Sequence, residues 1–272
     1  MKKRIEDHKI AIIAGAFRLP FLVVKDLRAQ GYNVFIIGIK NFCDPAIKPD
    51  LWTRLGSIGT TIKELKKRKI KKVVMVGTLG HPNLSDLRPD FTTIKILARL
   101  AMNQKGHNSM LTTLMNDFEK FGFKILAAQQ LCPNITFKKG LQTKFKPSKT
   151  DLADIIRGKA VSKVIGKLDI GMATVVHKQV LAVEAAEGTE EMLNRVIIMR
   201  KKSKKSGGVL VKMLKPGQDL RADIPAIGTR TIIAVSEAKL NGIVVNSKNC
   251  WIIDKDEVIK LANKNKIFIL AE

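Results

Sequence analysis

Residues 212–228 read KMLKPGQDLRADIPAIG. The stretch sets Asp219, Arg221 and Asp223 at alternate positions behind Lys212 and Lys215, among two prolines and two glycines. Residues two apart in extended chain share a face, so the spacing predicts two carboxylates flanking one guanidinium. A carboxylate that holds a hard cation or orients water, beside cations that bind phosphate oxygens, is equipment for hydrolysing a phosphoester or a pyrophosphate. The bland alternative is a surface ladder of ion pairs. The prolines and glycines crowded around the charges favour a site.

Three further segments carry groups of the right chemistry. Residues 182–193, AVEAAEGTEEML, place Glu184 and Glu187 ahead of a helix start. Both are candidate ligands for a hard cation such as Mg²⁺. Thr189 is a natural N-cap or a phosphate contact, and Glu190 and Glu191 suit the first helical turn. Residues 14–20, AGAFRLP, form a strand-to-helix turn whose free N–H groups, with Arg18, suit an anion. With one glycine it is no dinucleotide fingerprint, and a plain tight turn is the competing reading. Residues 77–90, GTLGHPNLSDLRPD, leave another strand and offer His81, Asp86, Arg88 and Asp90; a polar loop capped before a helix is the alternative.

These groups need a scaffold. Apolar runs at 10–14, 34–39, 72–76 and 123–127 alternate with helical patterns through residue 30 and over 60–68, 91–103 and 109–121, which predicts a parallel sheet covered by helices. Residues 132–149, punctuated by Pro133, Gly140 and Pro147, read as a linker. Beyond it, a helix over 152–165, a hairpin at 173–176 and 180–183, and strands at 209–211, 243–246, 251–253 and 267–270 alternate with further helices. The expected fold class is therefore α/β: a Rossmann-like N-terminal domain over 1–131 with a parallel sheet, and a mixed α/β C-terminal catalytic domain over 150–272.

Composition limits the partners. A chain of 272 residues exceeds the usual single domain. The net charge of +25 suits nucleic acid, phosphorylated substrates or an anionic membrane surface. Aromatics make up only 5%, which speaks against stacking platforms for single-stranded nucleic acid. The lysines are scattered, which leaves a nucleic-acid partner disfavoured. Cys43, Cys132 and Cys250 lie far apart, without zinc spacing or an even count, as expected of a reducing cytosol. No signal peptide is apparent, and no apolar run approaches a membrane span.

Taken in order, IIAGAFRLP, VVMVGTLGHPNLSDLRPD, LDIG at 168–171, AVEAAEGTEEMLNRV and KPGQDLRADIPAIGTRT resemble the LpxI-type UDP-2,3-diacylglucosamine pyrophosphatase family of lipid A biosynthesis. The resemblance spans nearly the whole chain. It implies hydrolysis of UDP-2,3-diacylglucosamine to UMP and 2,3-diacylglucosamine 1-phosphate, with Mg²⁺ or another divalent cation. It implies two domains with a lipid-linked nucleotide sugar between them, a homodimer, and a cytoplasmic enzyme peripheral to the anionic inner-membrane surface. The family's aspartate in R-x-D-x-P-x-I-G falls on Asp223. The expected catalytic residues are Asp223, Arg221 and Lys212; the expected metal ligands are Asp223, Asp219 and Glu187. Substrate contacts are expected at Gly15, Ala16, Gly77, Thr78, Asp169, Gly171, Met172, Thr189 and Gln218. The chain departs from the family pattern at His81 for arginine, at His107-Asn108 for acids, and at Met172 for glutamine. A binding homologue without catalysis is the second reading.

Overall fold

The computed structural model describes residues 8–79, 88–102, 107–203, 205–221 and 223–272. The chain divides into two units: residues up to Cys132 together with Asp219–Asp223, and Pro133–Gln218 with Ile224–Glu272. Both are α/β, as expected.

The first unit runs β1 (Lys9–Ala14), α1 (Leu19–Ala29), β2 (Asn33–Ile39), β3 (Leu51–Thr53), α2 (Ile58–Lys67), β4 (Lys72–Val76), α3 (Phe91–Met102), α4 (His107–Lys120), β5 (Lys124–Ile125) and α5 (Ala128–Leu131). Its five-stranded sheet has the order β3-β2-β1-β4-β5, parallel throughout. Strands buried on both faces need unbroken apolar runs, which explains why β1, β2 and β4 were readable while the three-residue β3 was not. Ala11, Ile37, Leu65, Val73, Met115 and Phe118 pack one core. The sheet order reverses between β1 and β4, where open α/β sheets present their ligand crevice.

The second unit runs β6 (Gly140–Leu141), α6 (Lys149–Lys167), β7 (Ala173–His177), β8 (Gln179–Val183), α7 (Gly188–Ser203), β9 (Val209–Lys212), β10 (Ala226–Ile227), α8 (Thr229–Glu237), β11 (Gly242–Val245), β12 (Trp251–Ile252), α9 (Lys255–Lys264) and β13 (Phe268–Ala271). Its six-stranded sheet has the order β6-β13-β11-β9-β7-β8, with β9, β11 and β13 parallel and β6, β7 and β8 antiparallel to their neighbours. Alternation divides β9 between two cores. Leu210 joins Val175, Ile243 and Ile269, while Val209 and Val211 join Ile155 of α6, Val244 and Phe268. Residues 133–148, read above as part of a linker, are built into this unit. Phe137 is 1% exposed in the core, and Thr143 Oγ1 accepts the Ile269 N–H at 3.0 Å. Their proline and glycine punctuate turns around buried anchors and do not mark a free tether.

Among the described residues no helix is long and apolar enough to cross a membrane.

The end of β7 remote from Lys212 holds a buried guanidinium. Arg200 is 3% exposed, and its Nη2 donates to the Gly207 carbonyl at 2.7 Å and lies 3.2 Å from His177 Nδ1. Arginine has only donors, so His177 Nδ1 must accept, which fixes the neutral imidazole with its proton on Nε2. Burial and then Arg200, with Lys178 and Lys205, lower the His177 pKa; Asp154 opposes them. A lowered folded value means the unfolded chain binds the proton first. The stability His177 contributes is then complete above its ordinary pKa of about 6.5 and is lost as pH falls toward the folded value. Urea midpoints measured from pH 8 to pH 5 should fall on acidification, and His177→Gln should flatten that slope. An unchanged slope in the variant would discount this coupling.

Candidate active site

The end of β9 carries a buried cation in the second unit. Lys212 is 8% exposed, and its Nζ donates to Thr189 Oγ1 at 2.8 Å and to the Ala226 carbonyl at 2.9 Å. The Thr189 hydroxyl donates onward to Glu184 Oε1, and Glu184 Oε2 accepts the Met172 N–H at 2.8 Å. Ammonium and carboxylate are thus joined through one hydroxyl, the kind of pairing that lets charges stay buried. An ammonium has three donors; the two named acceptors leave one for an anionic oxygen. Glu184, weighed above as a cation ligand, instead spends both oxygens inside this network. Thr189 lies inside α7 and bonds backwards to Glu184, not forwards as an N-cap.

Around this network the second unit gathers most of the expected substrate contacts. Lys215 Nζ pairs with Asp169 Oδ1 at 2.7 Å, and the Lys215 N–H donates to Gln218 Oε1 at 2.9 Å. Gln218 Nε2 lies 3.2 Å from the Met172 sulfur, so the thioether serves as a weak acceptor. Gly171 approaches Glu184 so closely that a Cβ there would lie 2.1 Å from the Glu184 carbonyl oxygen. Asp169, Gly171, Met172, Thr189, Lys212 and Gln218 therefore belong to one neighbourhood. Glu187 stands apart from the buried network, exposed and paired with Arg195; its own backbone N–H, and then Arg195, hold its carboxyl below the ordinary range.

In the first unit, the turns after β1 and β4 clasp one another. The Gly15 N–H donates to the Val76 carbonyl at 2.9 Å and the Ala16 N–H to the Thr78 carbonyl at 2.7 Å. A Cβ on Gly15 would lie 2.6 Å from the Thr78 oxygen, and Gly77 has φ of +94°. Gly15, Ala16, Gly77 and Thr78 are thus brought together at the strand ends where the sheet order reverses. Asp90 is structural. Its carboxylate accepts from the Thr93 N–H at 2.8 Å and the Thr60 N–H at 3.1 Å, joining the starts of α3 and α2. Burial alone would raise its pKa, but these donors outweigh it and lower the carboxyl. His81 and Asp86 lie outside the described residues; His107 and Asn108 open α4.

The segment Asp219–Asp223 also belongs to the first unit. Arg221 pins it there. Its guanidinium meets Asp219 from Nε at 2.9 Å and Nη2 at 2.6 Å, Glu119 of α4 at 2.8 Å and Asn116 at 3.1 Å. Gln129 Nε2 adds a bond to the Leu220 carbonyl at 2.6 Å. Hydrogen bonding from Arg221 lowers the Asp219 pKa, and the two carboxylates raise that of Arg221. Arg221 therefore ties the segment to α4 with its charge already matched. The alternation read from the sequence pairs Arg221 with Asp219, while Asp223 closes the turn with its N–H 3.3 Å from the Asp219 carbonyl.

Among the described residues no three His, Cys, Asp or Glu side chains gather as a metal cluster. Of the expected trio, Glu187 belongs to the second unit and Asp219 and Asp223 to the first. With Asp219 engaged by Arg221, the donor set is small and centres on Asp223. It fits Mg²⁺, which keeps several waters and binds through one or two carboxylates plus substrate phosphates. Thiol nucleophiles are excluded: all three cysteines are buried, and burial pushes Cys250 up to about 12 and raises Cys43 and Cys132.

The LpxI N-terminal domain model matches residues 9–135 and the LpxI C-terminal domain model residues 138–270. The chain belongs to the LpxI family. Over 271 residues it is 34% identical to the UDP-2,3-diacylglucosamine pyrophosphatase LpxI of Caulobacter vibrioides, with 97% of each chain covered. Glu119 and Asn116 of α4, which hold Arg221, are the neighbours of the Asp219–Asp223 segment that sequence reasoning missed. Both lie on α4, about a hundred residues away in sequence, where nothing in the 212–228 motif points to them.

Proposed function

We propose that the protein hydrolyses the pyrophosphate of UDP-2,3-diacylglucosamine, releasing UMP and 2,3-diacylglucosamine 1-phosphate. The relative from Caulobacter vibrioides is named a UDP-2,3-diacylglucosamine pyrophosphatase, which supports the substrate and the bond but not the products. The observation that carries the reading is Lys212: a buried ammonium, oriented by Thr189 and Glu184, with a donor left for an anion. Such a fixed cation stabilises charge developing on a phosphate oxygen without reorganising during the reaction. Asp223 would hold a divalent cation or orient the attacking water. When bound, that cation would neutralise pyrophosphate oxygens and make coordinated water more acidic. The clasped turns at Gly15 and Gly77 lie where the sheet order reverses, the place where open α/β sheets take the polar part of a nucleotide.

The test is direct. Purified protein with UDP-2,3-diacylglucosamine should release UMP, followed by chromatography, and EDTA should suppress the release with Mg²⁺ restoring it. Bound but intact substrate would support the non-catalytic reading instead, and absence of binding would sink both.

A further inference from the structure

The turn after β1 holds a residue in a conformation that its side chain resists. Phe17 has φ of +68°. This left-handed region is costly for any residue with a Cβ, and a bulky side chain there is a genuine outlier. The other described non-glycine residues with positive φ are lysines, aspartates, Arg88 and Asn41. Phe17 is the one apolar residue among them. The clasp between the two turns holds this shape. Ala16 pairs with Thr78 across an isolated bridge, and Gly77 packs against both ends of the turn. A Cβ on Gly77 would lie 2.8 Å from the Ala16 oxygen and 2.9 Å from Pro20 Cγ. Position 17 is carried into the left-handed region before α1 starts, and glycine is the residue that such a turn suits.

Packing does not offset the strain. Phe17 is 70% exposed, so its ring stands in water. Strain that burial leaves uncompensated is a signature of function. The place of the ring narrows the ligand. It follows the C-terminal end of β1, beside β4, where the sheet order reverses and a doubly wound sheet takes a nucleotide. Arg18, the next residue, is exposed as well. A flat ring beside a guanidinium matches a base beside a phosphate. We propose that Phe17 is the platform on which the base of the nucleotide stacks. This rests on the nucleotide-sugar reading above, in which the base is uracil, and adds the residue that holds it.

Calorimetry with UMP tests the platform without turnover. Phe17→Gly should weaken UMP binding about tenfold. It should leave the affinity for ribose 5-phosphate, which lacks the base, as in wild type. Phe17→Trp keeps a ring and should bind UMP at least as tightly as wild type. With UDP-2,3-diacylglucosamine, the loss in the glycine variant should appear in KM more than in kcat. The same variant should hold or raise the urea midpoint, because glycine takes the turn without strain. A lowered midpoint would make Phe17 a packing residue and overturn the inference. Wild-type UMP affinity in Phe17→Gly, or an equal loss for ribose 5-phosphate, would overturn it while the hydrolysis reading stands. So would a wild type that hydrolyses the substrate yet has no affinity for UMP. A wild type that takes neither UMP nor substrate overturns both.

Discussion

Asp223→Asn is expected to slow UMP release by about 10²–10⁴-fold, the range for losing a group that handles the reacting proton or water. The amide keeps size and shape but removes the charge needed to hold a cation or accept a proton. Its anchor should survive, because Arg221 and Gln129 hold the segment independently of the Asp223 carboxylate's charge. Substrate affinity, read by calorimetry, should change little, and the loss should appear in kcat. An Asn variant within about tenfold of wild type would remove Asp223 from the chemistry. Restoration by Asp223→Glu would point to charge, and its failure to exact placement.

Gly171→Ala is expected to damage both stability and rate through one added methyl group. The new Cβ would meet backbone, the Glu184 carbonyl oxygen at 2.1 Å, so no rotamer change relieves it. Backbone overpacking of this kind costs about 1–3 kcal/mol, visible as a lower urea midpoint. The strand carrying Glu184 must shift, and Glu184 is what holds the Met172 N–H and, through Thr189, Lys212. A displacement of the ammonium on the order of 1 Å is enough for about a hundredfold loss in kcat. The rate should be measured well below the unfolding transition, so that the two effects separate. A variant with wild-type midpoint and wild-type kcat would mean that the neighbourhood relaxes freely, against the rigid network drawn above.

Strands buried on both faces announce themselves, which is why the parallel sheet of the first unit and the run at β9 were legible without coordinates. The 212–228 stretch was legible as chemistry because charge of both signs beside proline and glycine is a poor core. Which carboxylate does what was not legible. Glu184 and Glu187 differ by three positions, yet one is consumed in a buried network and the other pairs with Arg195 at the surface. That depends on the hydroxyl of Thr189 and on where β7 runs, both contacts set by folding. Arg221 looked like a phosphate ligand; its matching to Asp219 and Glu119 needs α4, distant in sequence.

The allocation of Asp219–Asp223 to the first unit has a practical corollary. The chain leaves the second unit after Gln218 and returns to it at Ile224, so a cut at residue 132 parts this segment from the helix that seats it. An N-terminal fragment would present α4 with Glu119 facing an empty berth, and a C-terminal fragment would carry Asp223 on a loop without its anchor. Gene fission, domain shuffling or circular permutation at that apparent boundary would separate the acid from the helix that seats it.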